Sequence, residues 1–453
     1  MRKIALISVV VLIASLVMGQ SPVVPYSRED LKIRTFRYFW ETPDTIFWQV
    51  PDRYPSLTFS SIAATGFGLS SYIIGIENRY ISRAEGAERV LKTLQVLSDL
   101  PQGASASGIS GYRGFYYHFL NLHDARRFKE VELSSIDTGL LMAGILSCQS
   151  YFDLDNDTER NIRKLADNLF LRVEWDWMMK PNGKMSMGWH PEKGFIDSDW
   201  AGYNEAMILL IMAMGSPTHP IPADAWSKWC STYPVDTFYG MGHVQFDPLF
   251  GHQYSHIWID FKGIQDEFMK NADSDYFENS KKATLANRLY CIDNPMDWKG
   301  YDSHCWGLTA CDGPANNKMV IDGKERQFFD YRARGAASIQ VVDDGTIAPT
   351  AAGGSFPFTP EYSEACLQNM WNSYYTRLIG EYGFKDAFNL TYTDGKHPEG
   401  WFDVDYLGID QGPILLQIQN HENGLLWNVM KKNLYIVAGL KKAGFKGGWL
   451  EGK

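Results

Sequence analysis

A chain of 453 residues that is 45% hydrophobic and 21% charged has ample material for a packed core and is not of a disordered composition. The net charge of -10, with no basic run after the first few residues, excludes nucleic acid, whose binding needs Lys and Arg against phosphates, and weighs against a strongly anionic polysaccharide. Aromatics make up 14% with 15 tryptophans, a surplus that fits either a Trp-rich interhelical core or a surface that stacks flat apolar faces such as sugar rings.

Residues 1–19 read as an export signal. Arg2 and Lys3 precede an apolar run to Met18, with Val17 and Gly19 at the expected cleavage positions. About 15 apolar residues fall short of a comfortable membrane span. No later segment approaches one, and no Cys follows the run to anchor a lipid. Residues 20–453 are therefore expected to be one exported, periplasmic domain with no membrane partner after the signal is removed.

Helical periodicity then recurs over residues 31–40, 60–75, 82–97, 133–152, 157–173, 199–214, 223–232, 266–290, 361–382, 412–419 and 426–443. Ser82 with Glu85 forms a capping-box pattern at the third of these. Apolar helices alternate with more polar ones, as inner and outer members of hairpins would, because a helix that is hydrophobic all round is buried on every side. Strand-like pieces are confined to 185–189 and 339–342. Two aromatic- and glycine-rich connections, 232–265 and 294–334, far exceed the usual helix–helix link. The pattern predicts an all-α fold, an (α/α)6 barrel or toroid with long loops at one end and only minor β-hairpins.

Acids stand where apolar helices begin. Asp199, Tyr203 and Glu205 precede the run 206–214. A carboxyl so close to a buried helix is desolvated, which favours its neutral form and makes Glu205 the candidate proton donor. Asp199 occupies a plausible N-cap position. In Trp401-Phe402-Asp403-Val404-Asp405-Tyr406, followed by Asp410, acids alternate with aromatics. Asp410 is preferred to Asp403 and Asp405 as the base, although it too could cap a helix. Glu132 and Asp137 form a third group at the start of the helix near residue 139. Two carboxyl groups, one acid and one base, are what glycosidic hydrolysis requires. Trp401, Tyr406 and Tyr203, with Glu132, Asp137, Asp199 and Asp403, are the candidate substrate contacts.

Other patterns fail on inspection. Asp153, Asp155 and Asp157 imitate a calcium loop, but Thr158 and Lys164 stand where Gly and Glu are needed. His421-Glu422 lacks the second His of a zinc protease motif, and His243, His252 and His256 fit sugar contacts or packing better than a metal. No metal or other cofactor is implied. The six cysteines (148, 230, 291, 305, 311 and 366) form no CxxC pair. Export permits a disulfide, with Cys305 and Cys311 nearest, but isolated buried thiols are the expectation.

The segments Phe59 to Gly68, Glu132 to Thr138, Tyr203 to Ala206, Ile409 to Pro413 and Gly447 to Trp449 together resemble the bacterial glucoamylase-like family, and within it glycoside hydrolase family 144, whose members act on β-1,2-glucans and sophoro-oligosaccharides. The resemblance implies an (α/α)6 barrel, an anomer-inverting and metal-free hydrolase of a neutral β-glucan oligosaccharide, Glu205 as general acid and an Asp of the 403–410 loop as base. Release of sophorose from the non-reducing end is the expected mode. An endo-β-1,2-glucanase, a non-catalytic periplasmic glycan-binding protein and a polysaccharide lyase are the alternatives. Asn121 stands where the family leads one to expect Asp.

Overall fold

The structure, a computed structural model, describes residues 24–453. The expected signal, 1–19, lies outside them. The helices in chain order are α1 (Arg28–Glu41), α2 (Ile62–Glu77), α3 (Arg83–Asp99), α4 (Ser135–Tyr151), α5 (Asp157–Leu171), α6 (Ala206–Gly215) and α7 (Ala225–Cys230). They continue with α8 (Tyr254–Trp258), α9 (Glu267–Asn271), α10 (Tyr276–Asp293), α11 (Pro349–Gly354), α12 (Pro360–Leu378), α13 (Gly408–Asn423), α14 (Leu425–Met430) and α15 (Leu434–Lys442). Strands occur only as two- and three-stranded antiparallel ladders, and no closed sheet is present among the described residues. The all-α expectation with minor hairpins holds at that level.

Burial separates the helices into two kinds. In α2, α4, α6 and α13 nearly every residue is buried. In α3 and α5 only one face is: Ala87, Val90, Leu94 and Leu97 in the first, Ile162, Ala166, Leu169 and Phe170 in the second. The buried helices touch in sequence: α2 packs on α4 and α13, α4 on α6, α6 on α8, and α8 and α11 on α13. Outer helices cover them, α1 against α2 and α13, α3 against α2 and α5, α5 against α4, α12 against α11, and α15 against α6.

Two of these contacts bring backbones together at glycines. A Cβ on Gly144 would lie 2.1 Å from the carbonyl oxygen of Gly66 across the α2–α4 contact, and one on Gly439 would lie 1.9 Å from that of Ile211 across α6–α15. Only glycine permits such an approach.

Side-chain caps explain several boundaries. Ser82 and Glu85 make both bonds of the expected capping box. Ser61 and Ser134 cap α2 and α4. The expected helix 266–290 is two, because Asp266 caps α9 and Asp275 caps α10 after a break. The expected helix 426–443 is likewise broken where Asn433 caps α15. The expected start of α6 at Asp199 is wrong by seven residues. Asp199 bridges to Ser186 in a loop, and the helix begins at Ala206. The long connection 232–265 contains α8, an inner helix too short to show a period. All six cysteines are buried and unpaired, and Asp155 and Asp157 are engaged by Arg160 and not arranged as a cation loop.

The α2–α4 contact yields a test. Gly144→Ala is expected to lower stability by about 1–3 kcal/mol in denaturant unfolding, as overpacking does. Gly395→Ala, where nothing lies within 4 Å of the new methyl, should change it by less than about 0.5 kcal/mol. Equal effects would contradict the backbone contact.

Candidate active site

Hydrogen bonds stitch the starts of the inner helices to one another. The Ser255 hydroxyl, in α8, donates to the Glu205 carbonyl at the start of α6 (3.1 Å). The Tyr254 hydroxyl donates to the Ile409 carbonyl in α13 (3.1 Å), and the Thr350 hydroxyl of α11 donates to the Asp410 carbonyl (3.0 Å). Gly408 N–H donates to the Asp52 carbonyl (2.8 Å), and Ile62 N–H of α2 to the His118 carbonyl (3.4 Å). Short ladders feed these starts: Ser60–Ser61 pairs with Phe119–Leu120 ahead of α2, Leu133–Ser134 with Gly188–His190 ahead of α4, and Tyr406–Leu407 with Arg53–Tyr54 ahead of α13. Converging helix N-termini place partial positive charge at this end, which favours anionic groups there.

Glu205 is the residue before α6, yet its side chain does not cap it. Asn204 accepts from Ala206 N–H (3.1 Å) and Ser255 from Ile208 N–H (3.0 Å), so other side chains serve the helix end. One oxygen of the Glu205 carboxyl, Oε2, is buried and unpartnered. Burial, augmented by the charge of nearby Asp137, pushes its pKa up to about 7.

Asp137 sits in the first turn of α4, bonded reciprocally to its cap Ser134. Its Oδ1 lies 3.4 Å from His118 Nε2, and His118 Nδ1 lies 2.8 Å from Glu132 Oε1. Burial works against charge on His118, but Asp137 and Glu132 outweigh it and raise the pKa to about 9, so the ring is an imidazolium at neutral pH. Burial raises Asp137 despite that cation. Glu132 is half-buried, which works to raise it, but its bond to His118 holds it below the ordinary range.

A second group of acids adjoins this one, Asp52 lying within the field of His118. Arg53 bridges Asp52 (3.1 Å) and Asp312 (2.7 Å). Asp312 N–H donates to Asp386 Oδ2 (2.7 Å). Asp403 accepts from Val404 and Asp405 N–H at 2.6 and 3.1 Å. Oxygens of Asp312, Asp386 and Asp403 lie within 4.8 Å of one another, the spacing among the described residues that would admit a cation. The same closeness favours retained protons. Burial and its acidic neighbours raise Asp403 to about 8, and burial with the charges of Asp410 and Asp312 holds Asp386 far above the carboxyl range. The Asp386 and Asp410 carboxyls are close enough to share a proton. Burial raises Asp410 to about 7 while the Asp386 bond pulls it down, so of this pair Asp386 keeps the proton and Asp410 is the one that ionises. Asp410 Oδ2 is unpartnered. The Tyr254 phenol lies within the field of both Asp410 and Glu205, and the half-exposed Tyr331 lies within the field of Asp410, Asp386 and Asp52.

Of the residues expected from sequence, Glu205, Asp137, Glu132, Asp403 and Asp410 come together here. Asp199 does not: Lys180 holds it at 2.6 Å and Asn182 at 2.7 Å. Tyr203 is 1% exposed, stacked with Tyr276 (5.9 Å) and Trp229 (6.5 Å), so no sugar can reach its face. Tyr406 packs on Tyr382 (5.5 Å) with its hydroxyl at the Gly380 turn. Trp401 is partly buried, in the ladder with Asn389 and against an apolar cluster of Cys311, Ala348 and Ala387. Asp405 accepts from Ser56 N–H (2.8 Å) and holds the 55–58 loop. His252 and His256 are buried in separate packing contacts, bonded to Phe246 O (3.1 Å) and Ser280 Oγ (3.0 Å). His118, Asp386, Asp312 and the Asp52–Arg53 pair are absent from the sequence-based candidates. Of these, His118 lies three residues before Asn121, the position where the family leads one to expect Asp.

The family model described as "Putative glucoamylase" matches residues 197–434. The exo beta-1,2-glucooligosaccharide sophorohydrolase (non-reducing end) of Parabacteroides distasonis is 31% identical over 438 residues, 90% of this chain and 56% of the relative, so the chain spans little more than half of that protein. A solved structure from Bacteroides uniformis under the same glucoamylase description aligns with TM-score 0.81 and 33% identity, covering 94% of this chain and 100% of that one. The endo-beta-1,2-glucanase of Chitinophaga pinensis, solved with sophorotriose and glucose, aligns with TM-score 0.80 and 29% identity over 94% and 100% of the two chains.

The raised Glu205 predicts a pH signature. Below pH 4.5, its ordinary value, folded and unfolded chains both hold the proton. Between 4.5 and about 7 only the folded chain does, so the unfolded state gains and stability falls; above about 7 the penalty is complete. Glu205→Gln removes this term. The melting temperature of the variant relative to the parent should therefore rise across pH 4.5 to 7 and level off beyond. A flat difference would contradict the assignment.

Proposed function

The chain belongs to the glucoamylase-like family, and from that premise we propose that it is an anomer-inverting glycoside hydrolase acting on β-1,2-linked gluco-oligosaccharides. The observation that carries this reading is the pair of raised carboxyls Glu205 and Asp410, each with one buried oxygen left without a partner and both within the field of the Tyr254 phenol. Protonated Glu205 gives its proton to the glycosidic oxygen as the bond to the anomeric carbon breaks. Asp410, freed of its proton because Asp386 holds one, takes a proton from the water that attacks the opposite face. Inversion by direct water attack needs about 6.5–9.5 Å between the two carboxyls, and relay through a substrate hydroxyl would allow more. A binding protein would need neither carboxyl raised, and a lyase would need a base of Tyr or His type together with a cation for a uronate.

The architecture we infer is a ring of six inner helices, α2, α4, α6, α8, α11 and α13, an (α/α)6 barrel formed as a single domain over 20–453. Export to the periplasm by residues 1–19 completes the reading, since a glucan is met outside the cytoplasm. For the mode of attack, the 294–334 loop brings Asp312 and Tyr331 to the acids. A wall there supports a blocked end and release of sophorose from the non-reducing end, the action printed for the P. distasonis relative. The likeness to the C. pinensis endo enzyme, over the whole of that chain, favours an open cleft as the second reading.

Glu205→Gln and Asp410→Asn should each lower kcat on sophoro-oligosaccharides by about 10²–10⁴-fold, the contribution of general acid–base catalysis, with KM little changed. A fully active Glu205→Gln would refute the site. An active Asp410→Asn beside an inactive Asp403→Asn would move the base. NMR of fresh product should show the α-anomer first, and the β-anomer first would refute inversion. From a long β-1,2-glucan, disaccharide alone in the first minutes supports exo attack, whereas a ladder of sizes means endo.

A further inference from the structure

Three phenylalanines beside the acids belong to neither large apolar core. Phe59, Phe119 and Phe128 are each partly exposed and pack on one another, Phe59 lying 4.2 Å from Phe119 and 4.7 Å from Phe128 between ring centroids. Neither extensive core cluster includes them, so their burial adds little to the main hydrophobic packing. A partly exposed apolar cluster outside the core is available to contact an apolar face of a ligand.

Its position shows what it would meet. Phe119 stacks on His118 at 3.8 Å with the rings 24° apart. That imidazole is the group held between Glu132 and Asp137, and Asp137 borders Glu205. The patch is thus linked to the proton donor through His118 and Asp137, and Phe119 lies on the Ser60–Ser61 and Phe119–Leu120 ladder that leads into α2. The exposed segment 55–58 runs directly into Phe59.

We propose that Phe59, Phe119 and Phe128 form a stacking subsite for a glucosyl ring of the substrate, beyond the units that flank the scissile bond. The proposal rests on the reading of the protein as a β-1,2-glucan hydrolase. A β-linked glucopyranose carries its hydroxyls around the rim and presents C–H groups on its two faces, which suit the electron-rich face of a phenyl ring. The rings carry no hydrogen-bonding group, so they bind the sugar face while its hydroxyls stay in water. Such a subsite adds affinity only for chains long enough to reach it.

Calorimetry on Glu205→Gln protein, with and without Phe59→Ala, tests this using sophoro-oligosaccharides of increasing length. The expected result is a Kd for the longer chains weakened about tenfold, as loss of about 1.4 kcal/mol gives, with a much smaller change for the shortest chain bound. Phe128→Ala should reproduce the pattern and Phe59→Trp should restore it. Equal weakening at every length, or none at any length in both alanine variants, would overturn the subsite. Turnover by the unsubstituted protein is measured separately: oligosaccharides that bind with the length dependence but are not cleaved would refute the hydrolase reading and leave the subsite standing.

Discussion

A helix buried on every side can place charge only at its ends. The α2, α4, α6 and α13 helices are in that position, buried over almost their whole length, with glycine contacts bringing α2 onto α4 at backbone distance. Polar chemistry is thereby driven to one end, where helix N-termini favour negative groups. Glu205 immediately precedes α6, and Asp137 and Asp410 stand in the first turns of α4 and α13. Small ladders and the long loops, unsuited to a helical core, surround that end and bring in Asp312, Asp386 and His118.

Gathering so many carboxyls under partial burial would be prohibitive if all were ionised. Two devices reduce the cost. Cations neutralise part of the charge: Arg53 between Asp52 and Asp312, and His118 between Glu132 and Asp137. Elsewhere the acids keep protons, as Asp386 and Asp403 do, because neighbouring carboxylates and desolvation oppose their ionisation. The outcome is an asymmetry useful for hydrolysis. Burial holds the proton on Glu205 near neutral pH, while Asp410, which neighbouring Asp386 pulls down, is the more easily ionised of that pair.

Local signals in the sequence carried much of the fold. Ser82 with Glu85 marked the start of α3, and uniform apolarity marked α2, α4 and α6. The short α8 and α11 gave no period to read, and the breaks before Asp275 and Asn433 were hidden within helix-like composition. At the site, acids adjoining apolar runs were visible as Glu205, Asp137 and Asp410. Tyr203 and Tyr406 misled because alternation of acids with aromatics does not say which rings face the core. Asp386 was illegible for a different reason: its position depends on Asp386 N–H bonding the Asp405 carbonyl and on Asp312 N–H reaching its carboxylate, contacts between distant segments.

The central claim is that a glycosidic bond lies between Glu205 and Asp410. A crystal structure of the Glu205→Gln protein with a bound sophoro-oligosaccharide tests it most directly. The account predicts the glycosidic oxygen within hydrogen-bonding distance of the residue 205 amide, with Asp410 on the opposite face contacting a water or the substrate hydroxyl that relays its proton. An oligosaccharide whose linkages all lie away from residue 205, or whose anomeric carbon is approached from the far side by a group other than Asp410 and its water, would contradict it.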